Sequence, residues 1–163
     1  MKKLTKLLII LFAVCIFNYS MLYAASSGGS DTGGNNEAGL YKQGKQLVYR
    51  AKKLEKKNKK EKAEKLYLKA LNKFEKAYSK NKKNADILNY LGFTLRKTGS
   101  LEKAEVFYLK GLKLDAGHLG INEYLGELYV QTNRIDLAKE RLQILYGCNC
   151  EEYEELKELI ENK

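Results

Sequence analysis

The sequence has no proline and no tryptophan, and only one histidine, in 163 residues. A proline-free chain of this length fits long helices better than a sandwich of short strands joined by turns. A single histidine excludes a multi-histidine metal site. No glycine-rich phosphate loop, paired-carboxylate motif or nucleophile elbow occurs. The acidic runs near the C-terminus lack the D-x-D-x-D-G spacing of a calcium loop. No catalytic residue, metal or cofactor is therefore expected, and the chain reads as a non-enzyme. What it does have is 44% hydrophobic and 31% charged residues, with a net charge of +10. That is one domain's length, with too much apolar content for wholesale disorder.

The N-terminus stands apart. Met1-Lys2-Lys3-Leu4-Thr5-Lys6 is followed by the apolar run Leu7 to Phe17 and by small residues at Ala24 and Ala25. This pattern reads as a secretory signal peptide over residues 1–24. The alternative is an uncleaved segment that anchors the chain to the inner membrane. Cys15 has Val14 before it rather than a small residue, which disfavours a lipid-modified cysteine. Residues 25–39 are rich in Gly, Ser and Asn, carry almost no large apolar side chain, and are expected to be a flexible tether. The expected location is the periplasm, and an exported chain is not expected to meet nucleic acid.

An internal repeat sets the architecture of residues 40–163. The segment EKAEKLYLKAL at 61–71 returns as EKAEVFYLKGL at 102–112, with eight of eleven positions identical at an offset of 41. Tyr90-Leu91-Gly92 returns as Tyr124-Leu125-Gly126, and Ala104 as Ala138, at an offset of 34. The offsets differ by seven, two helical turns, so the longer one lengthens a helix while keeping its buried face in phase. Small residues facing each other let two helices approach to about 8–10 Å. Asn58, Gly99 and Asn133 fall at the expected inter-helix turns, and both residue types tolerate the left-handed conformation that ends a helix. Ser100 is placed to cap the helix that follows.

With these residues, the 34-residue period resembles the tetratricopeptide repeat family. The middle unit, 85–118, matches its pattern at Leu88, Leu91, Gly92, Leu95, Ala104, Tyr108 and Gly111. The third unit, 119–150, matches at Leu125, Gly126, Tyr129, Ala138 and Leu142 and departs at Asn122 and Leu145. The first unit, 44–84, matches at Leu47, Ala51, Leu54, Ala63, Tyr67 and Ala70 and departs at Arg50. Its second helix runs on through Phe74, Ala77 and Tyr78. The family's usual proline is Ala116 here, and its usual tryptophan is absent. The resemblance implies an all-α fold: antiparallel hairpins stacked as a short right-handed superhelix of about three repeats. Residues 151–162 form an amphipathic capping helix, with Tyr153, Leu156, Leu159 and Ile160 on one face.

The resemblance also implies a concave groove for a protein or peptide partner. Its lining positions are Asn89, Phe93, Arg96 and Lys97 in the middle unit, and Glu123, Glu127, Val130 and Gln131 in the next. The relatives that clamp a carboxylate place Lys and Arg where this sequence has Gly120 and Tyr124, so that ligand class is not implied.

Charge is divided unevenly along the chain. Residues 40–84 carry 17 basic and 4 acidic side chains, and residues 85–163 carry 10 and 14. The lysines of 52–83 form either a solvated face or a surface for an anionic membrane or an acidic protein. The basic hairpin and the acidic C-terminal helix also suit self-association, head to tail. Cys148 and Cys150, one residue apart, are a disulfide or structural thiols, a redox pair, or a soft Cu(I) site. His118 reads as a polar loop residue. The leading expectation is an exported adaptor in cell-envelope assembly or maintenance, and the alternative is a thiol-redox or Cu(I)-handling protein on a repeat scaffold.

Overall fold

A computed structural model describes residues 36–163, so the expected signal peptide (1–24) and most of the tether lie outside the described residues. Seven helices are described: α1 (Glu37–Glu55), α2 (Lys60–Lys80), α3 (Ala85–Lys97), α4 (Leu101–Leu112), α5 (Leu119–Gln131), α6 (Ile135–Leu145) and α7 (Glu151–Glu161). There is no strand among the described residues. The helices pair as α1–α2, α3–α4 and α5–α6, and α7 packs on α5 and α6. The fold is the expected all-α helical repeat.

The three hairpin turns share one mechanism. Asn58, Gly99 and Asn133 have φ of 54°, 83° and 60°. In each turn the next backbone N–H donates to the carbonyl five residues back: Lys59 to Leu54, Ser100 to Leu95 and Arg134 to Tyr129, at 2.7–2.9 Å. This left-handed cap satisfies carbonyls that the helix end would otherwise leave open. It also corrects the capping role expected of Ser100. Lys59, Ser100 and Arg134 share ψ between 57° and 66° rather than an extended backbone, and none makes a side-chain cap bond.

The first hairpin begins earlier than its sequence suggests. Residues 37–39 belong to α1 and not to the tether, because Asn36 Oδ1 accepts from Gly39 N at 2.7 Å and starts the helix. Glu37 then accepts from Asn81 Nδ2 and Asn84 Nδ2 at 3.2 and 2.9 Å, tying the helix start to the far end of α2. Both arms are therefore long, 19 and 21 residues. The added length repeats a packing pair one heptad along. A Cβ on Gly44 would collide with the Phe74 ring, just as one on Gly92 would collide with Tyr108. The Phe74 and Tyr108 side chains are fully buried, so each glycine is what lets its two helices approach.

Two clusters of buried side chains run through the stack, and Leu71, Phe107 and Tyr124 pack against both. The last hairpin is closed by Leu156 of α7, fully buried against Gly126. Tyr153 and Ile160 are half-buried beside it, but Leu159, expected on the same face, is 40% exposed. The departure at Asn122 is a satisfied core position, since its Nδ2 donates to the carbonyls of Ala116 and His118.

A candidate partner-binding face on the odd-numbered helices

The groove positions of the repeat map onto α1, α3 and α5, with α7 continuing the row. Packing in the first unit leaves one face of these helices lined with rings. Phe74 stacks on Tyr90 at 5.0 Å, and Phe93 lies 5.8 Å from Tyr67, 6.4 Å from Tyr90 and 4.8 Å from Tyr124. Cations lie over these rings. Lys45 is 5.3 Å from the Tyr41 centroid, and Lys52 is 5.1 Å from Phe93 and 5.5 Å from Tyr124. Arg96 lies 5.8 Å from both Phe93 and Tyr124. A cation over a ring face gains from the ring quadrupole, by roughly 0.5–2 kcal/mol depending on desolvation.

Polar bonds join the helices across this row of rings. Lys97 pairs with Glu55 at 2.8 Å, and Arg96 with Glu127 at 2.6 Å. Lys52 Nζ donates to the Tyr124 hydroxyl at 3.3 Å, and the Tyr67 hydroxyl donates to Glu55 at 2.8 Å. Beyond the row the character changes to acidic. Carboxylate oxygens of Glu123, Glu127 and Glu155 lie within 4.8 Å of one another. Glu123 is 3% exposed. Its pKa is pushed up to about 9, first by burial, then by its hydrogen bond with Glu155 and the charges of Glu127 and Glu155, with Lys52 opposing. Beside it lies a cleft of about 140 Å³ lined by Lys52, Glu123, Tyr124, Glu151, Glu152 and Glu155.

The eight expected groove residues therefore divide. Phe93, Arg96, Glu123 and Glu127 come together with Lys52 and Tyr124. Phe93 is only 2% exposed, so it is the buried floor of the face rather than an open platform. Asn89 is also buried, and its Oδ1 finds no hydrogen-bond partner among the described residues. Val130 belongs to the second core cluster, Lys97 is engaged by Glu55, and Gln131 is exposed at the end of α5. Lys52, Glu55 and Glu155 were not anticipated. The register that picks out Phe93 and Arg96 in the middle unit also selects Lys52 and Glu55 in the first, whereas Glu155 lies off that register and is brought in by the packing of α7 on α5.

His118 is a cap and not a free loop residue. Its Nδ1 accepts from Ile121 N at 3.2 Å, which places the proton on Nε2, 3.4 Å from Asp86 Oδ1. Cys148 and Cys150 are joined as a disulfide with Cα atoms 5.2 Å apart, and Cys150 is the N-cap residue of α7. Gly147 and Asn149, at φ 85° and 50°, supply the left-handed backbone of that short connection.

Residues 73–106 match the family model described as tetratricopeptide repeat. No curated protein sequence matches the chain. Among solved structures, the Arabidopsis OM64 tetratricopeptide repeat domain is 13% identical, with a TM-score of 0.52 over 76% of this chain and 98% of that one. The Yersinia enterocolitica type III secretion chaperone SycD, in complex with a peptide of the translocator YopD, is 20% identical, with a TM-score of 0.47 over 72% and 86%. The second tetratricopeptide repeat domain of human RPAP3, in complex with an HSP70 peptide, is 17% identical, with a TM-score of 0.47 over 77% and 100%. Residues 73–106 thus match a tetratricopeptide repeat, and the paired, stacked helices around them have the all-α helical-repeat fold of such domains.

Proposed function

We propose that the chain is a non-enzymatic adaptor that captures a protein partner on the face of α1, α3, α5 and α7. The partner segment carries a basic side chain that enters the cleft beside Glu123. One observation carries this reading: a buried carboxyl group held near two others and beside an open cleft, with its pKa raised to about 9. Burying an uncompensated carboxylate is costly, so at neutral pH Glu123 keeps a proton. A lysine or arginine from a partner supplies the missing positive charge and two or more hydrogen bonds. Tyr124 and Lys52 flank the entry, and the aromatic floor keeps the surrounding helices in place for an extended segment.

The proposed setting is the cell envelope, with residues 1–24 removed on export to the periplasm or retained as an anchor. N-terminal sequencing of the protein recovered from cells distinguishes the two. Binding of the basic hairpin to an anionic membrane or acidic protein is the accessory contact. The thiol-redox or Cu(I) alternative rests on the Cys148–Cys150 pair. A Cys148→Ser, Cys150→Ser protein with unchanged function discards it.

The test of the adaptor reading is photo-crosslinking in living cells, with the probe at the exposed cleft position Glu151 and a control at Lys69. A discrete adduct at Glu151, lost on Glu123→Lys, supports the reading and identifies the partner. Adducts at Lys69 alone, or none at either position, reject it.

A further inference from the structure

The two ends of the repeat stack carry opposite charge, and both leave apolar side chains uncovered among the described residues. At one end, the outer side of the α1–α2 hairpin forms an open groove lined by Leu47, Leu68, Lys69, Asn72 and Lys73. Leu68 is 51% exposed, and the neighbouring Tyr49 is 61% exposed. This is the most basic stretch of the sequence, with 17 Lys and Arg against 4 acidic residues in 40–84. At the other end, α7 buries only Leu156 completely. Leu159 and Ile144 are 40% and 51% exposed. Around them Glu154, Glu158 and Glu161 are exposed to solvent. A repeat hairpin buries apolar surface against both neighbours, so terminal units that keep such surface lack the polar outer face that normally ends an array.

We propose that these end faces dock on each other between molecules, the acidic α7 of one copy lying along the basic α1–α2 groove of the next. The occupant is a second copy because the complement of the groove, in both charge and apolar content, is present on the same chain. A two-fold pairing of like ends would set lysine against lysine or glutamate against glutamate, at a cost of several kcal/mol. Opposite ends give a heterologous contact, which leaves a free end of each kind and builds short chains rather than closed dimers. The geometry allows it: α7 is about 16 Å long and α2 about 31 Å at 1.5 Å per residue, so the helix that carries the groove is longer than the helix laid along it.

Sedimentation velocity of the full chain tests this at roughly 0.02 M and 0.5 M salt, between which the Debye length falls several-fold. At low salt the mean mass rises with concentration, and at high salt the same association needs at least about tenfold more protein. The Lys65→Glu, Lys69→Glu, Lys73→Glu variant carries acidic side chains in place of the lysines at the groove and is monomeric where the unaltered chain associates. The Glu154→Lys, Glu158→Lys, Glu161→Lys variant has two basic ends and is also monomeric. Mixing the two variants restores complexes. A monomer under all conditions overturns the proposal, and is the result expected if residues 1–35 of the same chain occupy the groove. Association that ignores salt and charge reversal overturns it too, as does a mixture that stays monomeric.

Discussion

Replacing Glu123 by Gln isolates the electrostatic cost of the candidate face. The carboxyl group is 3% exposed, and its pKa is raised from 4.5 to about 9 by burial, the Glu155 hydrogen bond and the neighbouring carboxylates. The native state therefore keeps a proton that the unfolded chain releases above pH 4.5. Stability from this group is complete below that pH and is lost as pH rises towards 9. One fully coupled proton changes stability by about 1.4 kcal/mol per pH unit. The whole window sets a ceiling of about 6 kcal/mol, and relaxation of the surroundings around the ionised carboxylate reduces it to about 2 kcal/mol. Gln keeps the shape and a donor for Glu155 but cannot ionise. Urea unfolding of both proteins between pH 5 and 9 provides the comparison, because all other titrations cancel in the difference. Near pH 5 the two should be equally stable, and near pH 8 the Gln variant should be more stable by about 2 kcal/mol. A difference that is constant with pH, or a less stable Gln variant at pH 8, would refute the assignment of a buried, protonated Glu123.

Gly92→Ala should cost about 1–3 kcal/mol in the same unfolding assay, because its new methyl group meets the immobile Tyr108 ring. A neutral or stabilising effect would mean that the two helices are free to separate. Leu156→Ala should cost about 2–5 kcal/mol and increase amide exchange in α7 before the rest of the chain, since Leu156 is that helix's one fully buried side chain. Uniform exchange would show instead that the cap unfolds only with the whole stack. Once the partner is known, its affinity should rise with pH between about 6 and 9, because its cation displaces the Glu123 proton. An affinity independent of pH would place the basic contact elsewhere.

Much of the architecture was legible because it rests on local rules. The turns at Asn58, Gly99 and Asn133 follow from the need for a left-handed residue after each first helix. The seven-residue insertion kept its meaning because Gly44 and Phe74 repeat, one heptad along, the pairing of small with aromatic residues. The start of α1 was hidden by composition, since a glycine-rich stretch ran into a helix whose cap is a single asparagine. The face was harder to read. Repeat register says which side of a helix Phe93 occupies, but not that Tyr67 and Tyr124 reach over it from the neighbouring helices. The raised pKa of Glu123 depends on Glu155, 32 residues away, brought near by the capping helix. His118 gave no signal at all, because its role lies in the backbone N–H it accepts from.

The buried and exposed parts of the face perform separable tasks. Tyr67, Phe74, Phe93 and Tyr108 are nearly or fully buried, and together with the facing glycines they set the spacing of the helices. Removing any of them creates a cavity or a collision. The pairs Lys97–Glu55 and Arg96–Glu127 lie above them and retain some solvent contact. A partly solvated pair such as Lys97–Glu55 contributes little to net stability, on the order of 1 kcal/mol or less, whereas Arg96, only 10% exposed, depends on Glu127. A partner can therefore exchange its own charges for those of Lys97 and Glu55 at small cost without loosening the helices beneath. Glu123 is the exception, because its charge has no adequate partner inside the chain and its burial makes ionisation expensive. Binding gains most where the free protein is least satisfied. The strongest contact therefore falls at the acidic end of the face, beside α7, rather than over the aromatic floor.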